Sequence, residues 1–162
     1  MLAAPFALSF CSDGTTLAIG LADGGITLFD FAAEAPIASL QAYFGAVLAC
    51  AWSGDARFLL SGGQDDMLSL WDVKSRSLVL RCVGHSSWVT SMAFEPANGA
   101  AAPGVASPAA PATAAESGRD SRRERRDSRL REPYRVASCA ADCRVLLWSI
   151  DADAIGSGGG GE

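Results

Sequence analysis

The stretch Ser61-Gly62-Gly63-Gln64-Asp65-Asp66-Met67-Leu68-Ser69-Leu70-Trp71-Asp72 decides how this chain folds. A turn-forming Gln-Asp-Asp leads into a short run of alternating character that closes on Trp-Asp. The same arrangement stands at Ala22-Asp23-Gly24 before Ile26-Thr27-Leu28-Phe29-Asp30, and at Ala141-Asp142-Cys143 before Val145-Leu146-Leu147-Trp148-Ser149. The first two copies are 42 residues apart (65 − 23), and the third follows at 77 (142 − 65). A second series, Phe10, Trp52 and Phe94, keeps the interval of 42 throughout (52 − 10, 94 − 52), so roughly 35 residues are inserted between Phe94 and Asp142.

A period of about 40 to 45 residues ending in Trp-Asp resembles the blades of WD-repeat propellers, each a four-stranded antiparallel sheet. The alternation in Val47-Leu48-Ala49-Cys50-Ala51-Trp52 turns one face of a strand toward an inter-blade core. Asp13-Gly14, Asp23-Gly24-Gly25 and Gly54-Asp55 supply the positive φ angles that tight turns need. The fold predicted is all-β: a partial WD-repeat β-propeller of about three four-stranded blades with a disordered insert. The period divides the chain into a partial blade at 1–33, a complete blade at 34–75, a blade at 76–151 interrupted by an insert at 96–133, and a Gly-rich tail at 152–162. Seven blades would need roughly 290 residues, so 162 residues are expected to be a fragment of a propeller rather than a closed one. The first unit begins almost at Met1, with no room for a preceding outer strand. Open blade edges then predict instability, self-association or a need for further blades.

The third unit holds His85, Ser138, Asp142 and Trp148, the set that forms a hydrogen-bonded tetrad in WD-repeat blades. A carboxylate accepts from an imidazole N–H and from turn amides, and a serine with an indole N–H completes a satisfied buried network. Counting back gives Tyr43, Ser61, Asp65 and Trp71 in the second unit, and Ile19, Asp23 and Phe29 in the first. The network decays toward the N-terminus.

Composition narrows the function classes. The chain has one histidine, so His85 beside Ser86 and Ser87 is the one acid–base candidate, and the tetrad accounts for it better than a hydrolase triad. No Gly-x-Ser-x-Gly elbow is present, and the chain reads as non-catalytic. Cys139 with Cys143, or Cys82 with His85, lacks a second pair at zinc-site spacing, so no metal is expected. Gly62-Gly63 and Gly158 to Gly161 lack the lysine and helix of a phosphate loop, and no cofactor is expected. Five cysteines without a secretory start point to a reducing compartment, cytoplasmic or nuclear. No apolar run reaches the roughly 20 residues of a membrane helix. The net charge is −5, with seven of the 13 basic residues gathered in the insert, which leaves acidic blades poorly suited to nucleic acid.

The insert passes from Ala, Pro and Gly into Ser, Arg, Asp and Glu, a composition that cannot build a core and predicts disorder. Loop-closure entropy grows only logarithmically, so a blade tolerates it. Basic residues flank Ser121 and Ser128, where phosphorylation would invert local charge; the alternative is a self-compensating charged spacer.

Beyond the repeat itself, Tyr43-Phe44-Gly45, Cys50-Ala51-Trp52-Ser53, Ser61-Gly62-Gly63-Gln64-Asp65-Asp66, Gly84-His85-Ser86-Ser87-Trp88-Val89 and Ala93-Phe94-Glu95-Pro96 resemble one group of WD-repeat proteins. It is the group containing WD-repeat-containing protein twenty, the dystrophia myotonica WD-repeat protein and fungal CreC. That group also interrupts a blade with a polar, Ser/Arg-rich insert and resumes at Tyr-Arg, here Tyr134-Arg135. The resemblance implies a scaffold that binds and activates a ubiquitin-specific protease, often with a second WD-repeat protein. It also implies that Phe44 and Trp88, on the rim of the propeller, face that protease; each packing against its own loop is the alternative. Departures include Ser53-Gly54-Asp55 in place of Ser-Pro-Asp-Gly and Ala140-Ala141-Asp142 in place of Gly-Gln-Asp. A different WD-repeat role, in ubiquitin-ligase substrate recognition or RNA processing through the Arg-rich insert, is the competing reading.

Overall fold

The computed structural model describes residues 3–42, 44–96 and 133–151. Tyr43, most of the insert with Ser121 and Ser128, and the Gly-rich tail lie outside the described residues. Among the described residues eleven strands follow in chain order: β1 (Pro5–Phe10), β2 (Thr16–Leu21), β3 (Gly25–Asp30), β4 (Ala35–Gln41), β5 (Val47–Trp52), β6 (Phe58–Gly63), β7 (Met67–Asp72), β8 (Ser77–Val83), β9 (Val89–Phe94), β10 (Tyr134–Ala140) and β11 (Val145–Ile150). They form three antiparallel sheets, β1-β2-β3-β4, β5-β6-β7-β8 and β9-β10-β11, each a meander in sequence order. The third sheet has three strands among the described residues.

The repeat is written into the register. Thr27 faces Ile19, Ser69 faces Ser61 and Leu146 faces Ser138, at the same offsets of 42 and 77 that the sequence shows. It is also written into the turns. Left-handed φ recurs at Gly14 (72°) and Ala56 (61°), at Gly24 (84°), Asp66 (60°) and Cys143 (62°), and at Glu34 (52°) and Arg76 (57°). Equivalent turns keep one backbone shape even where the glycine that suits it is missing.

Sheets and sequence repeats are cut differently. The first unit, expected as a partial blade at 1–33, is a complete four-stranded sheet because β4, from the next repeat, pairs with β3 from Gly25↔Gln41 to Asp30↔Ala35. Each repeat thus lends its first strand to the preceding sheet. The outer strand can bond in this way because the turn at 31–34 is short, with Ala32 and Ala33 amides donating to Asp30 Oδ1 at 2.9 Å.

Two apolar layers lie between the sheets. Ala18, Ile26, Leu28 and Leu40 of the first sheet meet Leu59 and Trp71 of the second, with Cys50, Trp52 and Val73 packed alongside. Phe58, Leu60, Leu68 and Leu70 on its other face meet Val89, Met92, Val136 and Ile150 of the third. Each of the four second-sheet residues is fully buried, a gain of about 2 kcal/mol per side chain. Polar ties cross the same boundaries: the Trp52 indole N–H donates to the Ser9 carbonyl at 2.9 Å, and the Tyr134 hydroxyl donates to Asp55 Oδ2 at 2.6 Å.

Candidate protein-interaction rim

Strict antiparallel alternation gathers one set of connections at one end of all three sheets. These are the turns at 22–24, 64–66 and 141–144 and the loops at 42–46 and 84–88. Phe44 and Trp88 therefore stand on the same rim, on successive loops. Phe44 is 70% exposed and Trp88 51% exposed.

Both loops are pinned. Ala42 and Ala46, either side of the Phe44-Gly45 step, are buried, and the Ala42 amide donates to the Gly24 carbonyl at 2.8 Å. Gly45 turns the chain at φ +67, directing Phe44 outward between these anchors. The Ala46 amide donates to Gln64 Oε1 at 3.0 Å, and the Gln64 amide returns a bond to the Ala46 carbonyl at 3.0 Å. In the next loop the Trp88 carbonyl accepts from the Ala141 amide at 2.9 Å, and Val89 behind it is fully buried. This bond is the repeat equivalent of Gln64 to Ala46, so Trp88 holds the place of Ala46, and Phe44 that of Ser86. The two aromatics are one blade apart and two residues out of step.

The Trp88 loop rests on the tetrad residues. His85 Nδ1 lies 3.0 Å from Asp142 Oδ2, and His85 Nε2 lies 2.8 Å from Ser138 Oγ. The Trp148 indole N–H donates to Ser138 Oγ at 2.8 Å, so that hydroxyl's own hydrogen is free for Nε2 while Nδ1–H donates to the carboxylate. The Ser86 and Arg144 amides each donate to Asp142 at 3.0 Å. Burial pushes the Asp142 carboxyl up, but the Ser86 amide, His85 and the Arg144 amide outweigh it and hold it down at about 2. The His85 side chain has no exposure and both ring nitrogens are engaged. It has no nitrogen left for proton transfer to Ser86 or Ser87.

In the second blade the described members of this set are Ser61, Asp65 and Trp71. Trp71 donates to Ser61 Oγ at 2.9 Å, and Asp65 accepts the Met67 amide at 3.3 Å. With less compensation, burial raises the Asp65 carboxyl above its usual value. In the first blade Asp23 accepts the Gly25 amide at 2.9 Å, and Phe29 faces Leu17. The opposite end of the blades carries a different device: Ser53 donates to Asp55 at 2.6 Å while accepting the Phe58 amide at 2.9 Å. Burial raises and hydrogen bonding lowers the Asp55 carboxyl, and the bonds from Ser53 and Tyr134 prevail. Burial and the bond to Asp55 push the Tyr134 hydroxyl up to about 12.

Sequence reasoning overlooked Gln64, whose side chain pins the Phe44 loop. Its signal was available, because the turn position before the aspartate is alanine in the other two copies, Ala22 and Ala141. It also overlooked the Tyr134–Asp55 strut, which joins residues 79 apart and has no local pattern. Among the described residues no group of three His, Cys, Asp or Glu is placed to hold a metal ion, and all five cysteines are free thiols.

Comparison with known proteins meets this geometry from outside. The family described as WD domain, G-beta repeat, matches residues 34–72. WD repeat-containing protein 20 homolog of Caenorhabditis elegans is 36% identical over 85 residues, which is 52% of this chain and 11% of that protein. UBP9-binding protein bun62 of Schizosaccharomyces pombe is 32% identical over 146 residues, 90% of this chain and 21% of that protein. The chain thus spans about a fifth or less of the length of these relatives. Among solved structures, the RRP9 WD40 repeats and U3-55K each superpose with a TM-score of 0.66 at 15% identity, over 93% of this chain and 36% and 37% of theirs.

Proposed function

The chain is built of WD40 repeats, and from that premise we propose that it serves as a non-catalytic protein-interaction scaffold, a regulator that binds a ubiquitin-specific protease through the Phe44 and Trp88 rim. The observation that carries the reading is the pairing of two large aromatics, both at least half exposed, on loops whose backbones are fixed by hydrogen bonds. Exposed aromatics cost solvation unless a partner covers them, and rigid aromatic anchors dominate the energetics of protein interfaces. Rigid loops also spare the partner the entropy of ordering them.

The class of partner is supported by a relative named for binding UBP9 and by the resemblance of the motifs around Phe44 and Trp88 to the same group. The site of action on this reading is the cytoplasm or nucleus, where free thiols such as these five persist. The experiment is affinity capture with the chain, wild type beside a Phe44→Ala/Trp88→Ala double variant, followed by identification of bound proteins. Recovery of a ubiquitin-specific protease by the wild type alone is expected. Equal recovery by a folded double variant would remove the rim from the proposal, and recovery by neither would remove the protease.

A further inference from the structure

The loop that carries Phe44 lies between two turns of the rim. On one side the Gly24 carbonyl accepts the Ala42 amide at 2.8 Å, and a Cβ at Gly24 would stand 2.9 Å from the Gly45 carbonyl. Gln41 closes that side, its Nε2 donating to the Asp23 carbonyl at 3.1 Å. On the other side lies Gln64. A Cβ at Gly45 would come within 2.8 Å of the Gln64 Cβ and 3.0 Å of its Oε1, so the Gln64 side chain occupies the room that the glycine leaves open. The same Oε1 accepts the amide of Ala46, a residue only 4% exposed.

The two loops of the rim are held by different chemistry. In the third blade the His85 imidazole and the Asp142 carboxylate hold the Trp88 loop, and the turn residue Ala141 contributes its backbone amide. The second blade has Tyr43 in the place of His85 and Gln64 in the place of Ala141. Its side-chain bond therefore comes from the turn and reaches Ala46, two residues beyond Phe44. Phe44 is 70% exposed. With so little of its own surface packed, the direction of its ring is set by the backbone beneath it.

We propose that Gln64 is a positioning residue for partner binding: by holding the Ala46 amide it keeps Phe44 turned the way a ubiquitin-specific protease receives it, and so sets the rate at which the rim is recognised. The inference rests on the protease reading above. Gln64 acts through Phe44 and not by contact with the partner. Without its Oε1 the buried Ala46 amide has to find water, and the loop divides among conformers of which one presents Phe44 for docking. Association then falls in proportion to the competent fraction. The complex, once formed, keeps the same contacts and dissociates as before.

The test compares the whole chain, wild type and Gln64→Ala, binding to the immobilised ubiquitin-specific protease that the wild type captures. Gln64→Ala suits the turn, because Ala22 and Ala141 stand at the same position and the Ala141 amide keeps the equivalent bond to the Trp88 carbonyl at 2.9 Å. If the variant loses the β-sheet circular dichroism of the wild type, Gln64→Met takes its place. The association rate is expected to fall roughly 3- to 10-fold, the population equivalent of one hydrogen bond, with the dissociation rate within about twofold of wild type. Hydrogen exchange on the free chain reads the cause: the Ala46 amide should exchange faster in the variant, and the amides of the 84–88 loop at the wild-type rate. An unchanged association rate, or a loss that appears only in dissociation, overturns the proposal while the protease reading stands. So does faster exchange in both loops, which would mark a general loosening. A wild type that captures no ubiquitin-specific protease overturns both.

Discussion

The Trp148 indole nitrogen donates to the Ser138 hydroxyl at 2.8 Å, and that hydroxyl in turn serves His85 Nε2. One small side chain thus satisfies two ring nitrogens, one from the 84–88 loop and one from β11. Their loop partner, Asp142, closes the set from the turn.

Replacing Ser138 by alanine strands both nitrogens at once. The expected loss is about 2–6 kcal/mol, from roughly 1–3 for each group left unpaired. Ser61→Ala strands Trp71 alone among the tetrad residues described, so its loss should be about half as large. Urea unfolding of the two variants compares them directly, and equal losses would show that His85 draws nothing from Ser138.

Asp142 links this network to acid stability. Its folded-state value of about 2 lies below the ordinary 3.8. A carboxylate whose value is lowered by folding stabilises the fold fully above its unfolded value, and that contribution is lost as pH falls from about 3.8 through about 2. Asp142→Asn should be less stable than wild type at neutral pH, and the gap should shrink as pH falls through that window. Denaturant melts at about pH 7, 4 and 2.5 read the gap; a gap that stays constant would contradict the assignment.

Ala56 adopts φ +61 at the place where the first blade has Gly14 at φ +72. An L-residue pays roughly 1–2 kcal/mol there, partly offset by the greater unfolded-state freedom of glycine. Ala56→Gly should therefore raise stability by roughly 0.5–1 kcal/mol. An unchanged or lower melting temperature would mean that Ala56 makes contacts worth more than the strain.

Thiol chemistry should sort the cysteines by position. Burial pushes the Cys50 thiol up to about 12, while Cys143 sits exposed in the 141–144 turn. Because the thiolate is the reactive form, a disulfide-exchange reagent at mildly alkaline pH should label Cys143 first. Cys50 should respond only once the protein is unfolded; early labelling of Cys50 would show that the layer between the first two sheets opens readily.

Much of this was legible in the sequence because a repeat is a local signal read several times. The offsets of 42 and 77 recur in the register of the strands, and His85, Ser138, Asp142 and Trp148, named from the repeat, are joined by hydrogen bonds. What a period cannot show is which sheet a strand joins: β4 pairs backward with β3 while its sequence belongs to the next repeat. Nor can it show how a loop is held. The loop that carries Phe44 is held by the Gln64 side chain through the Ala46 amide, a bond between residues 18 apart that the period does not show. The strut between Tyr134 and Asp55 is likewise a product of packing, since nothing near either residue in the chain refers to the other.

At the mouth of the long insertion, the Glu95 amide bonds to the Arg135 carbonyl at 2.8 Å, and the Arg135 guanidinium meets the Glu95 carboxylate at 3.2 Å. Two residues 40 apart in sequence are thus neighbours in space, and β9 and β10 pair in register beyond them from Val136↔Phe94 to Cys139↔Ser91. Such a junction is a port: segments of other lengths and compositions can be traded there, by evolution or by a protein engineer carrying a reporter, without asking the sheet to relearn its pairing.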